Sequence, residues 1–183
     1  MMTMKDVQKN IRAIIESLDD NPDREGLVDT PRRYEAFLEE FLSPDEFKPT
    51  VFTNEGYSEM IVERNITFYS MCEHHLLPFF GTATVAYIPD DKIIGLSKLA
   101  RMVDHFSRRL QNQERVTTQI ADFLQKELSP KGVGVVLNAR HLCMEMRGIK
   151  KPNAVTTTSC LYGLFQTNPA TRSEFLNLAR TAE

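Results

Sequence analysis

The chain has 183 residues, enough for one domain with a helical extension, and it needs no disulfide scaffold to bury a core. Its 42% hydrophobic and 26% charged residues exclude wholesale disorder, a collagen-like repeat and a membrane bundle. With 22 Lys and Arg against 25 Asp and Glu, the net charge of −3 excludes a general nucleic-acid binder. Cations for any anionic ligand must then be gathered locally.

From Lys5 to Leu18, apolar residues at Val7, Ile11, Ile14, Ile15 and Leu18 mark one helical face, broken by Asn21-Pro22-Asp23. Thr30-Pro31 predicts a second helix with Thr30 as its cap, carrying Tyr34, Phe37, Leu38, Phe41 and Leu42 up to Ser43-Pro44. Met60 to Phe68 and Gly81 to Ile88 turn β-branched and aromatic and read as two strands, with Met71 to Phe80 as their connection. Ser97 then caps a predicted helix with Leu99, Met102, Val103, Phe106 and Leu110 inward. Another helix carries Val116, Ile120, Phe123, Leu124 and Leu128 and stops at Pro130 and Gly132. Strands resume at Val133 to Glu145 and Val155 to Phe165, and Pro169 opens a C-terminal helix. Paired strands and grouped helices predict an α+β fold with a four-stranded antiparallel sheet. The expected division is an N-terminal helical region over 1–50 and a catalytic domain over 51–183.

No uncharged stretch approaches the roughly 18 apolar residues of a membrane span, and Met1 to Leu18 holds no continuous apolar leader. Neither a membrane nor a nucleic acid is expected as a partner. Three cysteines in such a chain point to a reducing cytoplasm, where thiols serve as ligands, catalysts or core rather than disulfides.

Cys72 and His75 lie three apart in one tight segment, and a single turn can aim both at one point. In a strand reaching Glu145, His141, Cys143 and Glu145 would share a face. Two thiolates and an imidazole suit a borderline-soft ion such as Zn²⁺, and three protein ligands leave the fourth position open, as in catalytic sites. Spacing alone leaves the alternative open, in which Cys143 is core and Cys72 incidental. Adjacent His74 and His75 favour the metal, because two imidazoles are costly to bury without polar partners. Cys160 reads as core filler and His105 as a surface or structural histidine. Ser97-Lys98-Leu99-Ala100-Arg101 joins a helix start to two cations and forms a candidate anion site, with an ordinary capped helix as the alternative. Arg147, Lys150 and Lys151 add cations just after Cys143. Gln111 to Arg115 is either a solvated helix start or a source of an amide and a carboxylate for a heterocycle.

Four ordered segments together resemble the GTP cyclohydrolase I family. They are Ser70-Met71-Cys72-Glu73-His74-His75, Gly95-Leu96-Ser97-Lys98-Leu99-Ala100-Arg101, Ser107 to Arg115, and His141-Leu142-Cys143-Met144-Glu145-Met146-Arg147-Gly148. The likeness starts near Asn21-Pro22-Asp23 and runs to the C-terminus. Departures at Asn112, Val116 and Cys160 touch no expected ligand. The resemblance implies a tunnelling fold with helices on one face of the sheet, and conversion of GTP and water to 7,8-dihydroneopterin triphosphate and formate. It implies Zn²⁺ on Cys72, His75 and Cys143, with His74 and His141 as catalytic histidines. Gln113 and Glu114 would read guanine, while Ser97, Lys98, Arg101 and Arg147 would hold the triphosphate. It further implies a homodecamer of two stacked pentamers with pockets where subunits meet, Arg32 and Arg33 being candidates for donated charge. Without a long animal-type N-terminal extension in this match, regulation by a feedback partner is not expected. A nitrile reductase of the same fold, using a Cys nucleophile and a nicotinamide, and a nucleotide-binding scaffold with a structural zinc are the competing expectations. A zinc deaminase is disfavoured, because its H-x-E…P-C-x-x-C signature is missing.

Overall fold

The computed structural model describes residues 4–44 and 46–180. The chain divides into two compact units, Met1–Pro44 and Asp45–Glu183. In the first, helices α1 (Met4–Leu18), α2 (Glu25–Val28) and α3 (Thr30–Leu42) follow one another. Arg12 on α1 donates to Glu16 at 2.7 Å, Asp23 at 2.6 Å and the Pro22 carbonyl at 3.1 Å, so one guanidinium ties the helix to the turn after it. Gln8 bonds Glu35 and joins α1 to α3. Asp29, rather than the predicted Thr30, occupies the cap position of α3, and the Thr30 hydroxyl donates back to the Gly26 carbonyl at 3.2 Å. Arg32 and Arg33 are exposed on the same turn and face Asp29 at 3.5 and 3.8 Å.

The second unit holds β1 (Val51–Thr53), β2 (Ile61–Cys72), β3 (Pro78–Ile88), β4 (Lys92–Ile94), α4 (Leu96–Ser107) and β5 (Leu110–Gln111). It continues with α5 (Gln113–Leu128), β6 (Gly132–His141), α6 (Leu142–Glu145), β7 (Val155–Gly163), α7 (Leu164–Thr167) and α8 (Pro169–Ala179). Segment 46–50 goes with this unit, since the Thr50 carbonyl accepts from Gly95 N at 3.0 Å and Phe47 rests on Phe123. The four predicted strands form one antiparallel run, β2-β3-β6-β7, and the two-residue β5 joins β2 in parallel at its outer edge. β1 and β4 make a separate small sheet. The architecture is therefore α+β, as the sequence pattern predicts. Among the described residues no helix is long and apolar enough to cross a membrane.

Period-two alternation separates the two faces of the sheet. Val133, Val135, Leu137 and Ala139 of β6 join the main core beneath α4 and α5, with Leu99, Met102, Val103, Val116, Ile120 and Leu124 opposite. Val136 points the other way, into a smaller cluster under α7 and α8 built on Phe165 and Phe175. The long helices thus cover one face, and the C-terminal helices close part of the other.

Several boundaries differ from expectation, each for a local reason. The segment 71–80 is not a free connection, because β2 runs on to Cys72 and β3 begins at Pro78. Gly95, not Ser97, occupies the cap of α4, leaving Ser97 inside the first turn. Leu110 leaves the helix for β5, where it pairs with Met71. β6 stops at His141 instead of Glu145, and the next four residues turn helical.

Gly134 shows why a small residue is needed on the second face. A Cβ there would stand 2.8 Å from Phe175 Cε1 and 3.0 Å from Phe165 Cδ1, both in fully buried rings. Replacing Gly134 by Ala is expected to cost about 1–3 kcal/mol by overpacking. The midpoint of urea unfolding checks it: an unchanged midpoint would mean that the rings move aside freely.

Candidate active site

A tight turn closes the β2–β3 hairpin over Cys72. Cys72 N donates to the Leu77 carbonyl at 2.9 Å, and the Cys72 carbonyl accepts from His75 N at 3.3 Å and Leu76 N at 2.9 Å. Leu76 adopts φ 52°, which turns the chain towards β3 just after His75. His75 Nδ1 stands 3.7 Å from Cys72 Sγ, and His74 Nδ1 stands 3.8 Å from the same sulfur.

The second thiol arrives differently from expectation. His141, Cys143 and Glu145 do not alternate along one strand, because the chain leaves β6 after His141 and coils through α6. That turn brings Cys143 Sγ to 4.0 Å from Cys72 Sγ. The ligand atoms of Cys72, His75 and Cys143 all lie within 4.8 Å of one another. Ligands at ordinary zinc distances in a tetrahedron stand ~3.5–3.8 Å apart, close to the separations of 3.7 and 4.0 Å that Cys72 Sγ makes with His75 Nδ1 and Cys143 Sγ. Burial and then the neighbouring Cys72 sulfur push the Cys143 thiol up, while Arg147 acts in the opposite direction. A divalent cation would supply what these two thiols need to ionise together.

Glu145 is not turned to the ion group. Arg140 grips it with two bonds, Nε to Oε1 at 2.8 Å and Nη2 to Oε2 at 2.6 Å, and holds its carboxyl below the usual range. This pair straps α6 to the end of β6 and so sets the position of Cys143. Glu73 makes the matching strap on the other side. Arg115 Nη1 donates to Glu73 Oε2 at 2.6 Å and Nη2 to Oε1 at 3.0 Å, while Asn112 Nδ2 reaches Oε1 at 3.2 Å. Asn112 also caps α5, its Oδ1 accepting from Arg115 N at 2.8 Å. The ligand turn and the start of α5 are therefore one hydrogen-bonded assembly.

That helix start carries the next two expected site residues. Glu114 is exposed and close enough to His141 to favour its charged form, whereas burial, the larger effect, lowers the His141 pKa. The His141 ring lies flat on Phe79, with centroids 4.7 Å apart and planes 1° from parallel. Gln113 is only 1% exposed. Its Nε2 donates to the carbonyls of Leu137 at 3.1 Å and Thr156 at 2.9 Å and to Thr158 Oγ1 at 3.1 Å. Its Oε1 meets His141 Nε2 at 2.7 Å.

Ser97 and Lys98 lie in the first turn of α4, at the end of that helix away from this cluster, and Arg101 lies one turn further on. Helix α4 begins near the far end of the sheet, where Ile94 N donates to the Tyr87 hydroxyl and Tyr87 pairs with Ile61. It ends at Ser107, just before β5 pairs with Met71 and Cys72. At 1.5 Å per residue, Ser97 stands about 15 Å from Ser107 along the axis. Arg147 is the expected cation that does lie near Cys143.

In the sequence, Glu73, Arg115 and Glu145 stand inside motifs with no evident task, and Arg140 stands just before one. Their opposite charges were the signal, though only folding shows which acid meets which base. Replacing Arg115 by Ala removes both of its bonds to Glu73 and leaves the ligand turn tied to the start of α5 only by Asn112 Nδ2 and by the bond from Glu73 N to the Gln111 carbonyl. Metal affinity is expected to fall on the order of 10–100-fold, as for other groups that orient ligands, measured by competition with a chromogenic chelator. An unchanged affinity would show that the turn holds its own shape.

Comparison with known proteins shows the family. The family profile described as GTP cyclohydrolase I matches residues 7–180. The GTP cyclohydrolase 1 of Sulfurihydrogenibium sp. is 55% identical over 94% of this chain and 92% of its own length. That of Aquifex aeolicus is 52% identical over 95% of each chain. The Coxiella burnetii protein of the same name is 49% identical over 95% of this chain and 97% of its own. Matches of this extent leave no domain of those relatives unaccounted for, and the chain belongs to the GTP cyclohydrolase I family.

Proposed function

We propose that Cys72, His75 and Cys143 hold one Zn²⁺ and that the protein converts GTP and water to 7,8-dihydroneopterin triphosphate and formate. The single observation that carries this reading is the convergence of two thiols and an imidazole within 4.8 Å, with His141, which Glu114 faces, two residues before Cys143. Zinc, when bound, makes a strong nucleophile of water near neutral pH, which the weakly electrophilic carbon 8 of guanine requires.

The remaining work falls to side chains. Both C–N bonds at carbon 8 break as it leaves as formate, and each released nitrogen takes a proton. His141 and His74 carry those protons, imidazole being the group that gives and takes them near pH 7. The ribose opening, rearrangement and final ring closure are further proton transfers within their reach. Glu114 accepts from the two donors on the Watson–Crick edge of guanine, which adenine cannot reproduce. Arg147, with Ser97, Lys98 and Arg101, binds the triphosphate, an electrostatic task that a chain of net charge −3 must perform with local cations.

The run of about 15 Å along α4 from Ser97 to Ser107, the end near Cys72, supports a site completed by another subunit. We infer that the assembly is a decamer and that Arg32 and Arg33 are candidates for donated charge. Among the described residues, strand β7 and most of β2 leave outer edges unpaired, and such edges seek partners.

Incubation with GTP tests the reaction, read by formate release and by fluorescence of the oxidised pterin. The parent is expected to hold about one zinc per chain, and Cys72→Ser or Cys143→Ser to lose zinc and turnover together. Full zinc content in both variants would overturn the ligand assignment. Shared sites are tested by mixing Cys143→Ser with Arg32→Ala, each inactive alone. Partial recovery after subunit exchange is expected, and full activity at the mass of a single chain would overturn the shared site.

A further inference from the structure

We propose that Gln113 is a positioning residue for His141, fixing which ring nitrogen carries the hydrogen, and that it does not read the guanine base. The inference rests on the reaction proposed above for its kinetic consequence, but its structural content stands on hydrogen-bond accounting alone.

The accounting starts from two groups whose roles are unambiguous. The backbone carbonyls of Leu137 and Thr156 only accept, so the nitrogen end of the Gln113 amide must face them, at 3.1 and 2.9 Å. Thr158 Oγ1, at 3.1 Å, takes a share of the same two N–H groups. Its own hydroxyl meets Thr117 Oγ1 at 2.7 Å, and Thr117 donates to the backbone carbonyl of Gln113 at 2.8 Å. This chain is consistent when Thr158 donates to Thr117 and accepts from Gln113. Every donor in this buried corner is used, and the amide cannot flip without setting oxygen against oxygen.

With the amide fixed, Oε1 points to His141 Nε2 at 2.7 Å. An amide oxygen cannot donate, so the hydrogen in that bond belongs to His141 Nε2. The neutral ring then carries no hydrogen on Nδ1. Any proton that His141 exchanges with substrate enters and leaves through Nδ1, while Nε2–H stays bonded to Gln113 in both charge states. The stacked Phe79 ring, at 4.7 Å, limits tilting, and the Gln113 bond limits rotation in the plane. Together they hold one orientation and one tautomer. The same bonds exclude base recognition by the Gln113 side chain. It is 1% exposed, and both amide hydrogens are already committed to β6 and β7. Glu114, one residue on and exposed, is the member of the pair free to meet a base.

Two measurements on the zinc-loaded enzyme decide the matter. The first is ¹⁵N spectroscopy of histidine-labelled protein, with a His141→Gln variant identifying the His141 signals among the four histidines. The expected pattern is a protonated Nε2 and an unprotonated Nδ1. Hydrogen on Nδ1 of the parent would overturn the proposal without any variant of Gln113 having to fold. The second uses Gln113→Met, which keeps the volume and removes the amide. We expect mixed tautomers at His141, zinc content retained, GTP dissociation constant within about 2-fold of the parent, and kcat lower on the order of 10²-fold, the low end of a positioned acid–base contribution. A raised dissociation constant with kcat unchanged would return Gln113 to base recognition and overturn the proposal. So would a variant in which tautomer and kcat both stay as in the parent. A parent that leaves GTP untouched would overturn the proposed reaction instead, and the ring-nitrogen spectrum would still decide what Gln113 does.

Discussion

Strands β2 and β6 do not pair, because β3 lies between them, and yet the thiols at their ends stand 4.0 Å apart. Two strand spacings put the backbones about 10 Å from each other, further than two cysteine side chains span when both point along the sheet normal. The structure meets this constraint by ending β6 at His141 and coiling the chain through α6. Had the strand continued, Cys143 would have moved away along the sheet at about 3.3 Å per residue. The strap from Arg140 to Glu145 and the bond from Lys151 N to the Met144 carbonyl at 3.0 Å hold that turn in place. Everything else at the site depends on it.

The intervening strand is not idle. Phe79 of β3 pairs with His141 in register and lies under its ring, so the residue that separates the two thiol strands also forms the floor for the imidazole. On the other side, β5 attaches the start of α5 to the end of β2, and Asn112, Gln113 and Arg115 then send bonds to Glu73, His141 and the backbone of β6 and β7. One helix terminus thereby fixes the ligand turn and the histidine together. Rigid support of this kind is what the proposed reaction would require, since each proton transfer needs its donor and acceptor in hydrogen-bond reach.

Much of this was legible in the sequence, and the failures have identifiable causes. Apolar spacing along Val116, Ile120, Leu124 and Leu128 and alternation along β6 reveal the long elements, because each buries one regular face. The motifs likewise mark Cys72, His75 and Cys143, which the fold brings together. What escaped were features that exist only between distant segments. The two residues of β5 have no periodicity of their own and are strand only because Met71 and Cys72 offer an edge. The helical turn of α6 is too short for a periodicity of its own and follows directly on the strand-like run of β6, and the Arg140–Glu145 pair ties it down. Gln113 reads as an exposed polar residue at a helix start, but the corner between Leu137, Thr156 and Thr158 that buries it is assembled from two other strands.

Membership of the GTP cyclohydrolase I family and the geometry of the three ligands meet in one claim, that Cys72, His75 and Cys143 hold a single zinc ion with its fourth position open to water. Zinc K-edge X-ray absorption of the purified protein tests that claim most directly. It should show two sulfurs at about 2.3 Å and two nitrogen or oxygen atoms at about 2.0–2.1 Å. A first shell of nitrogen and oxygen alone would contradict it.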